Sequence, residues 1–405
     1  MKNISPPFFA LAFLAIEVLL TSATCGQGLS ILPSLFPDRT DVDSHVDAVS
    51  ADGRTVVGHS SFSDGEDFYS QAFRWTREDA LVGLASLPGR PYTEAHGVNG
   101  DGTIVVGGSG FGELSTYEAV RWTAGATTGL GAPTGALGSR ALGLSTNGNV
   151  IYGGTYSAAA DSGLVYASAM RWTEAGGFEN LGYLSGWERE SIISGSSAQG
   201  DVLAGYSRES QFNRTQAVRW SEATGMQGLG FLPGGNRSTA GAISGDGQTI
   251  VGSGNSDNAF FGSEAFRWTE EGGMLRLNDN PPLGGFISVA SGITFDGSAI
   301  VGRARFGTEN ILEAFLWTES EGMRSLNSIL DSDGVDRDGW FLTWATDISS
   351  DGTVIVGNAS KTIGESTLRR GFMFDFRAVP EPASCTCLLS GILMAAAFYR
   401  PARKT

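Results

Sequence analysis

The chain is poor in several residue types that mark common functional classes. Its 405 residues include 3 cysteines, Cys25, Cys385 and Cys387, all near the ends. The body between them therefore holds itself together without disulfides and offers no Cys-ligated metal site. Histidine is as scarce: His45, His59 and His96 are scattered, which argues against a His-rich metal site. Positive charge is in deficit, with a formal net charge of −16, so nucleic acid is not an expected partner. Charged residues make up 17% of the chain. The body has no HExxH, GxSxG, Walker loop or CxxC, and no nucleophile stands beside a recognisable base. No catalytic residue is assigned, no cofactor is expected, and the chain is read as non-enzymatic. Carboxylates brought together from distant segments escape such a reading.

What is abundant is glycine, 58 residues, set in a repeat. DAVSADGRTVVGHS at 47–60 returns as HGVNGDGTIVVGGS at 96–109 and LGLSTNGNVIYGGT at 142–155. It recurs from 194, 241 and 291, and ends as TDISSDGTVIVGNA at 346–359, seven copies in all. The turn glycines are Gly53, Gly102, Gly148, Gly200, Gly247, Gly297 and Gly352, each followed five residues later by a second glycine. Asp-Gly or Asn-Gly between apolar runs marks a tight hairpin, because the turn needs positive φ. The flanking strands are A and B.

Strand C reads QAFRWT at 71–76 and returns with Trp at 75, 122, 172, 220, 268 and 317; the last copy, GFMFDF at 371–376, has Phe374 instead. A fourth element, read as strand D, is GLASLP at 83–88, then GLGAPT at 129–134, NLGYLS at 180–185, GLGFLP at 228–233, RLNDNP at 276–281 and SLNSIL at 325–330. The last repeat lacks it, but GLSILP at 28–33 precedes the first repeat. A ring has a reason for that permutation, because its last unit can be completed by the N-terminus. The expected fold is all-β: a seven-bladed β-propeller of four-stranded antiparallel blades, the last closed by an N-terminal strand, with A innermost. An open β-solenoid is the competing architecture.

The EAFRWT and DG..IVG elements resemble the HAF-type extracellular repeat over roughly residues 28–376. Gln, Glu or Ser stands where that family's name has His. The resemblance implies an exported repeat protein and no particular reaction.

The ends read as addresses. Residues 1–26 have Lys2, an apolar stretch from Phe8 to Leu20 and small residues at Thr21-Ser22-Ala23, as a signal peptide does. A lipoprotein signal at Cys25 is the weaker alternative. Residues 27–378 form the propeller. Residues 379–405 carry Val379-Pro380-Glu381-Pro382, an apolar run from Ala383 to Tyr399, then Arg400, Arg403 and Lys404. That order resembles a PEP-CTERM sorting signal. It implies transient membrane anchoring through a C-terminal transmembrane helix and an exosortase-type transpeptidase as partner. A plain retained anchor is the alternative. The destination is the cell surface or extracellular matrix.

From each second glycine to the strand-C Trp or Phe the distance varies from 15 to 19 residues, and from each Trp to the next turn glycine from 26 to 35. Length variation thus falls on the B–C and D–A connections, the face where binding is expected. Trp187, Trp340 and Trp344 lie there outside the repeat pattern, as sugar-stacking candidates or as local packing. Asp331, Asp333, Asp336 and Asp338 offer hard oxygens to Ca²⁺, or a solvated turn. The repeat tryptophans are read as packing between blades, and Arg74, Arg121, Arg171, Arg219 and Arg267 as pairing with blade carboxylates. Function is then a binding or scaffolding module for exopolysaccharide or another surface protein. The alternative is a secreted polysaccharide-acting hydrolase or lyase with its site on the variable-loop face.

Overall fold

The computed structural model describes residues 28–378, except 40, 66–67, 112–115, 159–163, 211, 213, 258–261, 279–286 and 308–310. The segments 1–26 and 379–405, with the sorting motif Val379–Pro382, lie outside the described residues. Seven four-stranded antiparallel sheets follow one another along the chain. Their first strands, Asp43–Val49, Tyr92–Val98, Gly138–Leu144, Glu190–Ser196, Ser238–Ile243, Ser288–Ile293 and Phe341–Ile348, contact each other in a closed circle and line the axis. The chain is a seven-bladed β-propeller with strand A inside. Its last blade takes its outermost strand, β1 (Leu29–Ile31), from the N-terminus, in register Leu29↔Phe374 to Ile31↔Phe372. Backbone bonds from Leu32 N to Gly371 O and from Asp375 N to Gly28 O, both 2.8 Å, extend that pairing.

The repeat explains the blade. All seven turn glycines have φ between 72° and 81°. The preceding Asp or Asn closes each of six turns, as Asp101 does by accepting from Thr103 N at 3.0 Å. The second glycines have a different cause. Opposite each of them strand A bulges, between Val46 and Ala48 in blade 1 and at the matching place in the other six. The bulge folds a strand-A carbonyl over the glycine, so a Cβ on Gly58 would lie 2.0 Å from His45 O.

Packing is between blades. Two residues before each strand-C Trp an apolar side chain is sealed; Phe73, Phe266, Phe315 and Phe372 are fully buried there. Each such side chain contributes about 1.5–3 kcal/mol. Trp122 donates from Nε1 to Ala85 O at 2.8 Å and Trp317 to Leu277 O at 2.9 Å, each reaching the preceding blade. The outer strand differs from expectation. It runs Ala80–Gly83, Ala126–Gly131, Gly177–Gly182 and Gly225–Gly228, starting about three residues ahead of the GL..LP motifs. The tight C–D turn sets its register, pairing Trp75 with Leu81. In blades 1 and 4 the motif leucines leave the sheet and seal the joint with the next blade, as Leu84, Leu87, Leu229 and Leu232 do, whereas Leu130 and Leu181 stay within the outer strand. In SLNSIL only Ser325 is strand, the rest belonging to helix α1 (Leu326–Ser332), which Ser325 caps.

Candidate functional site

The inner strands converge at their bulges into a waist. A Cβ on Gly97 would sit 2.7 Å from Gly143 Cα, and one on Gly292 would sit 2.9 Å from Asp347 Cα. Backbones meet there, and small residues are required. Blade 7 alone places a carboxylate at this level: Asp347 accepts from Val49 N at 3.0 Å and Ile348 N at 2.8 Å. Burial pushes its carboxyl up to about 6, against those two donors. The Tyr152 hydroxyl fills the space a side chain at position 143 would need. Burial and nearby Asp347 raise its phenol.

A cavity of about 560 Å³ runs along the axis at this waist, from the A–B turns at Ala51, Gly100 and Thr146 up to Asp47, His96 and Trp344. Its wall includes Trp344, Tyr152, Asp347 and the hydroxyls of Thr146, Ser194 and Ser291. Its lining reaches the constant A–B turns, whereas loop-length variation pointed to the other face.

Above the waist, the first three blades carry a charged network. The three histidines, scattered in sequence, gather here. The rings of His45 and His59 stack with centroids 5.3 Å apart. Asp47 Oδ2 lies 3.3 Å from His59 Nδ1 and 3.9 Å from His96 Nδ1. Glu94 Oε2 pairs with Arg140 and lies 3.5 Å from His96 Nε2, off the hydrogen-bonding direction. Burial opposes ionisation of Glu94, but His96 and Arg140 outweigh it and hold its carboxyl down at about 2. Burial also works against charge on His59, yet the Asp47 contact prevails and raises it. Burial lowers His45 and His96, helped by His59 and Arg140 respectively. Next along the wall, Glu190 holds Arg208 at 3.1 Å and accepts from the Tyr206 hydroxyl at 3.0 Å. Sequence reasoning missed this network because the repeat leaves these positions free in identity: His45, Glu94 and Arg140 share one repeat position and Asp47 and His96 another, and only the bulged register brings them to one wall.

The three off-pattern tryptophans do not meet. Trp187 packs against Phe231 with centroids 6.1 Å apart, under the Arg214 guanidinium. Trp340 is buried beneath Lys361. Trp344 stands in the channel wall, donating to Ser291 Oγ at 2.8 Å, with Arg303 stacked 4.3 Å from its ring. The acidic loop is internally engaged. Asp331 grips Arg337 through bonds of 2.7–3.0 Å, Asp338 pairs with Lys361 at 3.1 Å, Asp336 accepts from Asp338 N, and Asp333 ends α1. Among the described residues no group of three His, Cys, Asp or Glu side chains is placed to hold a metal ion. The repeat arginines pair as expected: Arg74 with Asp79 in its own blade, Arg121 with Glu174 and Arg219 with Glu270 in the next. Arg171 pairs with Glu179 and stacks 4.6 Å from the Trp220 ring of the next blade. For Arg267 no ion pair is seen among the described residues.

No protein-family model and no curated protein matches the chain. Solved structures do. An acylaminoacyl peptidase from Pyrococcus horikoshii is 8% identical, with 84% of this chain and 54% of that one covered at a TM-score of 0.53. The β-propeller domain of the Trilobed protease from Pyrococcus furiosus, described as having an open velcro topology, is 10% identical over 82% and 93%, at 0.49. A putative TolB from Agrobacterium tumefaciens is 12% identical over 70% and 80%, at 0.38. What is shared is the propeller. Among the described residues no helix is long and apolar enough to cross a membrane.

Proposed function

We propose that this chain is an exported, non-catalytic binding and scaffolding module of the cell surface or extracellular matrix, with exopolysaccharide as its ligand. The two terminal addresses motivate export and delivery by an exosortase-type transpeptidase. The axial cavity carries the binding reading: about 560 Å³ walled by Trp344, Tyr152 and several hydroxyls falls within the range of small-molecule sites. The non-catalytic reading is supported by the mutual commitment of the channel's ionisable groups, Asp47 to His59 and Glu94 to Arg140.

The test is co-sedimentation of the propeller, Gln27–Arg377, with the extracellular polysaccharide of its own host, in calcium and in chelator, with released sugar assayed. Binding without release is the expected result. Loss in chelator would bring calcium to the Asp331–Asp338 loop. Neither binding nor release would point to a surface protein as partner.

A second reading, a polysaccharide-acting lyase or hydrolase, draws on the convergence of His45, His59, His96, Asp47 and Glu94 above the waist. Side-chain exposures of 31% for Asp47 and 14% for His96 leave them open to the channel. Sugar release by the wild type, abolished in Asp47→Asn, would establish it.

A further inference from the structure

The two inner strands of the blades treat their cations unequally. Arg140 has Glu94 and Arg208 has Glu190. Arg303 and Arg305, on strand B of blade 6 (Ala299–Arg305), enter no ion pair with any described carboxylate. The Nε of each is buried without a hydrogen-bond partner, as are those of Arg140, Arg208 and Arg219, so what sets Arg303 and Arg305 apart is the missing ion pair. The two alternate with buried Ala304 and so share one side of the strand, about 6.6 Å apart along it. That side faces blade 7, where the Arg303 guanidinium carbon lies 4.3 Å from the centre of the Trp344 ring. The nearby carboxylate of the same hairpin, Glu313, pairs with Ala304 across the ladder and so lies on the other side, bonded to Ser325 and Asn327.

An unanswered guanidinium N–H is costly, about 1–3 kcal/mol or more. The chain's net charge of −16 shows no shortage of carboxylates to answer it. Two cations without an ion pair on one face, one of them over a tryptophan ring, offer N–H groups to external oxygens. Guanidinium edges match planar carboxylates in paired hydrogen bonds. We propose that Arg303 and Arg305 form an anion subsite beside Trp344 that takes the carboxylate of an acidic sugar residue, making the ligand a uronate-bearing polysaccharide. This rests on the polysaccharide-binding reading and narrows it.

The experiment is affinity electrophoresis of the full-length chain through gels containing polygalacturonate or neutral dextran. Polygalacturonate should retard the wild type, and dextran should do so far less. Arg303→Gln and Arg305→Gln should each weaken the polygalacturonate effect about tenfold or more, as loss of a charged hydrogen bond implies. Arg303→Lys should recover part of it, and Arg219→Gln, on strand C of blade 4 and away from this pair, should change nothing. Equal retardation of both Gln variants and wild type would overturn the proposal. Equal retardation by both polymers would overturn it while leaving the binding module standing; retardation by neither would remove both. Should Arg303→Gln fail to fold, Arg305→Gln and the wild-type melting temperature decide: digalacturonate should raise it and digalactose should not. A rise with inorganic sulfate equal to that with digalacturonate would replace the sugar site by a bare anion site.

Discussion

The two halves of the inner wall share a backbone and differ in chemistry. Blades 1–3 line the channel with His45, Asp47, Glu94, His96 and Arg140, nearly all engaged with one another. At the matching positions blades 5–7 present Thr239, Gly241, Val289, Ser291, Trp344 and Thr346, with Arg303 and Arg305 left unanswered behind them. The bulge and its glycine are the same in both halves. The repeat therefore specifies where inner side chains point and leaves their identity free. Individuality is written at the positions the repeat does not constrain.

The largest effect is expected where the engaged half is unbalanced. Arg140→Gln leaves Glu94 partly buried with His96 alone and should cost about 3–4 kcal/mol in urea unfolding. Glu94→Gln with Arg140→Gln should restore most of that; an additive double variant would show that the pair is not coupled. The waist belongs to both halves, so Gly97→Val and Gly292→Val should each cost about 3 kcal/mol by overpacking. A markedly cheaper change on one side would mean that the waist is looser there.

Acid titration separates the halves again. Glu94 is held at about 2, below its ordinary 4.5, so the stability it contributes is present above pH 4.5 and lost as pH falls towards 2. Its magnitude is about 2 kcal/mol after allowing for partial exposure. Asp347 works in the opposite sense. With its carboxyl raised to about 6, the folded state keeps a proton that the unfolded chain has released, so stability falls between pH 3.8 and 6. That loss is about 2–3 kcal/mol, and Asp347→Asn should flatten this part of the profile. The smallest effect is expected on the quiet half: Val289→Thr should stay within about 0.5 kcal/mol.

The blade count, the turns and the N-terminal closing strand were legible because each is periodic and local. Gly53 and its six counterparts state the hairpin outright. The outer strand was misplaced by about three residues because leucine pairs such as Leu84 and Leu87 look alike whether they lie in a strand or seal a joint. The histidine network was illegible for a geometric reason. His45 and His59 face each other across a ladder whose register depends on the bulge, and His96 reaches Asp47 from the next blade. Arg303 reads as an ordinary strand-B residue until its lack of a partner is seen in three dimensions.

Blade 7 is joined to blade 1 by side chains answering a neighbouring backbone: Asn358 Oδ1 accepts from Val46 N at 2.9 Å and Asp347 from Val49 N. β1 completes the same blade, with Gly28 and Asp375 bonded backbone to backbone. The ring is thus continuous in hydrogen bonds and interrupted only in covalent bonds, and the interruption is placed in one of seven equivalent C–D corners. A chain joined across residues 28 and 377 and reopened at the turn of Gly125 would close the same circle from a different starting point, with blade 2 as the one built from both ends.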